Sequence, residues 1–129
     1  MGSRYNEMLH SLSQGTLSPE AFSHRDHVAT AWLALKKHEF FEASLIFARG
    51  LQMLTKSAGV PEKYNATVTL AFMSLIGERM AHFPAETADE FIDANPDFLE
   101  QGAIARLYSK DRLASDVARK VGLLPDARA

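Results

Sequence analysis

Apolar side chains in this chain recur at three- and four-residue intervals and nowhere alternate long enough to make a strand, so the pattern is helical throughout. Tyr5 to Leu12 forms a short helix candidate, stopped by Ser13-Gln14-Gly15. Ser18-Pro19-Glu20 is a helix-start signal, because proline in a first turn gives up no hydrogen bond that the helix needs. Ser23 stands three residues before Asp26 in a capping-box arrangement, and Val28, Ala31, Trp32 and Leu35 then share one face, which predicts a first long helix from Ser23 to Lys37. The second runs from about Glu39 to Ser57 on the stripe Phe40, Phe41, Leu45, Phe47, Ala48, Leu51 and Leu54, with Gly59 as its cap and Pro61 as its stop. The third, from about Glu62 to His82, carries Val68, Leu70, Ala71, Phe72, Met73, Leu75, Ile76 and Met80 around its whole circumference, the mark of a central, buried helix.

After Pro84, Thr87 caps a short helix through Phe91 and Ile92, which Asn95-Pro96 ends. An apolar turn at Phe98 and Leu99, a segment from Ala103 to Tyr108, and a helix from Asp111 to Val121 follow, closed by Gly122 and Pro125. The expected fold is therefore all-α: one domain over residues 1–129, a helical bundle of three long helices with shorter C-terminal ones, in which residues 1–17 are a short helix and loop and residues 18–126 the bundle. No repeat near 34 residues is present.

Composition narrows the chemistry. The chain of 129 residues has 47% apolar content, enough for one core, and no cysteine, which removes disulfides, thiolate metal sites and cysteine nucleophiles. Fourteen basic against sixteen acidic side chains give a formal charge of −2 with no long block of either sign, which disfavours nucleic acid as a partner. Neither a signal peptide nor a span of about 18 apolar residues is visible, and Asn6 breaks the myristoylation pattern, so the expectation is a cytoplasmic protein without a membrane partner.

Two segments place polar residues on apolar faces. In His24-Arg25-Asp26-His27 the imidazoles are three apart, on one helix face that continues into Val28, Ala31 and Leu35, so both could meet one metal ion or one substrate. Alternatively, Phe22 and His27 hold the two positions of a hydrophobic staple, and His27 simply packs on Phe22. The second segment is Tyr64-Asn65-Ala66-Thr67-Val68-Thr69. Thr67, Ala71, Ser74 and Glu78 follow one stripe that suits either a pocket wall, with Glu78 as an acid or base, or the solvent edge of the helix. Trp32 reads as core with an indole N–H to satisfy, and Tyr108 as a border of the same cavity from the C-terminal region. Phosphate-cradling glycine loops, nucleophile elbows and His-Glu-x-x-His zinc motifs are absent.

With Phe22-x-His24-x-x-His27-x-x-x-Ala31-Trp32 and Tyr64-Asn65-x-Thr67-x-Thr69, the chain resembles a group of small bacterial all-helical proteins described as uncharacterised, over residues 18–126. In that group a histidine often follows the tyrosine. The resemblance implies that the two segments face each other and that Asn65 stands where a third imidazole would complete a metal centre; it implies no reaction.

Two readings remain open at this point. One is a small-molecule enzyme or binding protein with its pocket between the first long helix and the central helix, in which His24, His27 and Glu78 do acid/base or hydrogen-bonding work and Trp32, Tyr64, Asn65, Thr67, Ser74 and Tyr108 hold the ligand. His24 and His27 offer two ligands to a divalent metal, yet without a third no tightly bound cofactor is expected. The other is a non-catalytic interaction module, whose Glu39 to Ser57 helix offers Phe40, Phe41 or Met53 to a partner or to a second copy in a homodimer.

Overall fold

The computed structural model describes residues 3–100 and 102–126, and those residues are all-helical, with no strand among them. The helices are α1 (Ser3–Gln14), α2 (His24–Lys37), α3 (Phe40–Ser57), α4 (Ala66–His82), α5 (Ala88–Ala94), α6 (Gly102–Ala105), α7 (Lys110–Ala114) and α8 (Asp116–Lys120). Single turns of 3₁₀ helix occupy Pro19–Ala21, Pro61–Lys63 and Pro96–Leu99, each opened by its proline. Local chemistry accounts for most of the boundaries. Ser23 and Asp26 form both halves of the capping box that starts α2. Thr87 caps α5 through the Glu90 amide. Gly59, at φ +77°, supplies the left-handed turn that ends α3.

Three expectations are corrected. The third long helix begins at Ala66 rather than near Glu62, because Asn65 accepts a hydrogen bond from the Val68 amide and is itself the cap. The expected helix from Asp111 to Val121 is two, since Ser115 adopts an extended backbone (ψ 154°), closes α7 through Arg112 and caps α8 through Ala118. The element at the centre is α2, which touches α1, α3, α4, α5 and the Pro96–Leu99 turn. Its buried face is largely small, Ala29, Thr30, Ala31 and Ala34, and lets those neighbours come close. Helix α4 keeps an exposed edge at Ser74 and Glu78.

The largest fully buried apolar side chains of the core are Leu12, Val28, Phe47, Met73, Ile76, Phe91 and Ile92. Helices α1 and α3 cross at Gly50, where a Cβ would lie 2.5 Å from Leu12 Cγ. Helix α8 packs on α4, and the non-helical segment after it runs back across the same helix. No described helix is long and apolar enough to cross a membrane.

Candidate functional site

The capping box sets the orientation of the first turn of α2 and thereby both imidazoles. His27, one turn past the Ser23 cap, stacks on Phe22 at 4.2 Å between ring centroids, so the staple is formed. His24 lies 6.1 Å from His27, centroid to centroid, and its Nε2–H donates to the Phe98 carbonyl at 3.1 Å. Desolvation by burial is the main force lowering the His27 pKa from 6.5 to about 4; the nearby His24 adds to it and Asp26 opposes it. At neutral pH the His27 ring is therefore uncharged and offers one donor and one acceptor. Neither nitrogen has a hydrogen-bond partner among the described residues.

Both histidines line a cavity of about 510 Å³. Phe47 and Leu51 of α3 and Val68, Phe72 and Leu75 of α4 make apolar walls, and Phe98, Ala103, Ile104 and Leu113 close the other side. Tyr64, Asn65 and Thr69 also line it. The polar groups on this wall are mostly engaged by the protein itself. Asn65 donates through Nδ2 to the Leu113 carbonyl at 2.8 Å, Thr69 donates to the Asn65 carbonyl at 2.9 Å, and Thr55 to the Leu51 carbonyl at 3.0 Å. Lys63, Glu100 and Lys110 are exposed and stand where the cavity meets solvent, with no ion-pair partner among the described residues.

The far wall is held from a distance. Arg79 on α4 meets the Asp97 carboxylate through two nitrogens at 3.0 and 2.9 Å, reaches Asn95 Oδ1 at 2.9 Å, and lies 4.6 Å over the Phe98 ring. This bonding lowers the Asp97 pKa and raises that of Arg79. Phe98 also stacks on Phe91, so the carbonyl that receives His24 is held by four contacts that local sequence pattern does not announce.

The remaining sequence candidates lie elsewhere. Thr67 is fully buried but turned to the C-terminal segment: its Oγ1 donates to the Val121 carbonyl at 2.6 Å and accepts from the Leu123 amide at 2.9 Å. Ser74 and Glu78 are exposed and outside the cavity lining, on the solvent edge of α4, whereas Thr67 and Ala71 of the same stripe are buried. Trp32 is buried beside Phe91 and also outside the lining. Tyr108 donates to the Leu123 carbonyl at 2.9 Å, and burial raises its pKa; it is a strut of the C-terminal segment. Sequence reasoning missed Phe47, Leu51, Phe72 and Leu75, which have the periodicity of core residues, and Lys63 and Lys110, which look like ordinary surface lysines.

On the far side of Tyr64 lies a second depression, of about 740 Å³, flanked by Gln52, Glu62, Asp116, Arg119 and Lys120. Its sides are mainly exposed and charged, so it is a surface trough without the apolar walls that take up a small molecule. No three His, Asp or Glu side chains among the described residues are grouped to hold a metal ion. Comparison of the chain with protein-family models, with curated proteins and with solved structures finds no match.

Proposed function

We propose that the chain, acting as one helical bundle, binds a small and mostly apolar molecule in the cavity between α2, α3 and α4, with His27 as the polar anchor. The observation that carries this reading is the His27 imidazole, without a partner among the described residues, on the wall of a mainly apolar cavity where burial keeps the ring neutral. Pockets of about 300–1,000 Å³ with apolar walls and a few placed polar groups are where small ligands bind. Binding is favoured over acid/base catalysis. A general base works best with a pKa near the working pH, and an imidazole held at about 4 is too weak a base for that. Glu78 has no part in the proposal, and no metal is required.

The test uses n-octanol as a neutral apolar probe, followed by backbone amide shifts in NMR. Saturable shifts confined to residues around Phe47, Leu51, Val68, Phe72 and Ile104 are expected, and Leu51→Trp, which fills the space, should abolish them. Shifts scattered over the surface and indifferent to Leu51→Trp would defeat the reading.

One observation favours the interaction reading as well. Phe41 and Leu45, one turn apart on α3, are 75% and 53% exposed. Sedimentation equilibrium of the protein and of Phe41→Ser decides whether that face associates copies of the chain.

A further inference from the structure

Resting on the cavity reading above, we infer that the ligand is an amphiphile with a singly charged anionic head, a monocarboxylate, whose apolar body lies among Phe47, Leu51, Phe72 and Leu75 and whose head meets Lys63 and Lys110. The cavity is asymmetric in polarity. Its interior walls come from the apolar faces of α3 and α4, while the charged lining groups are all exposed and so lie at the mouth. A ligand that matches both environments has an apolar body and a charged end.

The sign of that charge follows from where the lysines sit. Lys63 is two residues before Asn65, Lys110 is three residues before Leu113, and the Asn65 side chain donates to the Leu113 carbonyl at 2.8 Å. That bond ties the two lysine-bearing segments to each other beside the cavity. Glu100 is the single acidic group among the lining residues, two residues beyond the Phe98 carbonyl that receives His24. Neither lysine has an ion-pair partner among the described residues, so each ammonium can turn to a ligand. Two cations against one carboxylate leave a single positive charge, which suits a monoanion better than a dianionic phosphate. His27, being neutral, adds a hydrogen bond deeper in the cavity without competing for the charge.

Three probes of equal chain length separate the possibilities: octanoate, n-octanol and octylamine, titrated into the full chain at low salt with NMR and calorimetric readout. Two solvent-exposed ion pairs of ordinary strength make octanoate about tenfold tighter than n-octanol, with octylamine weakest. The preference should shrink as salt is added. In Lys63→Met/Lys110→Met, octanoate should fall to the affinity of n-octanol. Equal binding of octanoate and n-octanol, or tighter binding of octylamine, overturns the anionic head while the cavity reading stands. An octanoate preference that survives in the double variant overturns the assignment to these lysines. If none of the three moves the amides of Phe47, Leu51 and Phe72, the cavity reading and this inference fall together.

Discussion

Replacing His27 by leucine exchanges a titrating side chain for a non-titrating one of similar size, and the difference between the two proteins isolates what His27 contributes as pH changes. In the folded protein desolvation holds the imidazole pKa at about 4, against 6.5 for the ordinary group. The unfolded chain therefore binds the proton first as pH falls, and between those two values it carries more protons than the folded one. Stability rises with pH wherever that is so. The His27 contribution is complete above about 6.5, is lost progressively as pH falls to about 4, and is constant below that. The depression corresponds to roughly 3 kcal/mol, a substantial part of the 5–15 kcal/mol typical of a whole domain. Urea unfolding of both proteins from about pH 7 to about pH 3.5 measures it: the stability of the native protein relative to His27→Leu should drop by about that amount over the interval. Glu20, Asp89, Asp97 and Asp126, whose carboxyls are held below their usual values, titrate in both proteins and cancel in the difference. The carbon-bound ring protons of His27 give a second readout in the native protein alone and should not titrate until pH approaches 4. A flat difference curve together with a ring that titrates near 6.5 would refute the burial argument.

Thr67→Val keeps the shape of the side chain and removes both hydrogen bonds to the C-terminal segment; a loss of about 2 kcal/mol is expected by denaturant unfolding, with Thr67→Ser costing less. Gly50→Ala tests which of two effects wins in α3: alanine gains about 1 kcal/mol of helix propensity, but its Cβ would meet Leu12 Cγ at 2.5 Å, and overpacking of about 1–3 kcal/mol should leave the variant less stable. Combining it with Leu12→Ala, which opens that space, should give a double variant more stable than the sum of the two single changes. Glu78→Gln, on the solvent edge of α4, should leave both stability and n-octanol binding unchanged within error; a change in binding would return Glu78 to the site.

Where the sequence was legible, a side chain and its hydrogen-bond partner lie within one turn of each other. The Ser23–Asp26 box and the Thr87 cap are of this kind, and the box orients the first turn of α2, where His27 is half-buried and His24 exposed. Tyr64 and Asn65, which the resemblance set facing those histidines, line the same cavity. Periodicity failed where one pattern has two outcomes. Phe47, Leu51, Phe72 and Leu75 repeat like core residues, because the wall of an apolar cavity and a filled core demand the same side chains. Helix α4, apolar around most of its circumference, looked central, whereas the alanine-rich α2 holds that place because small side chains admit more neighbours. Thr67 was visible as a polar residue on an apolar helix, but its partners are 54 and 56 residues away, beyond the reach of local pattern. Ser115 carries the signal of a helix cap but lies inside a run that otherwise continues as helix.

The C-terminal segment also bears on the order in which the structure comes apart. Residues 121–126 form no helix, yet Thr67, Tyr108, Ser109 and Arg112 tie them down through Val121, Leu123, Leu124 and Asp126. The Thr67 bonds close a loop of more than 50 residues, which the chain can form only once α4 and α8 are already placed. Contacts of such long sequence separation are expected to form after the rate-limiting barrier, so Thr67→Val should speed unfolding and leave the folding rate nearly untouched in a denaturant chevron; a slowed folding rate would refute this. On that expectation the strap acts as a kinetic latch, governing how long a folded molecule lasts more than how quickly one forms.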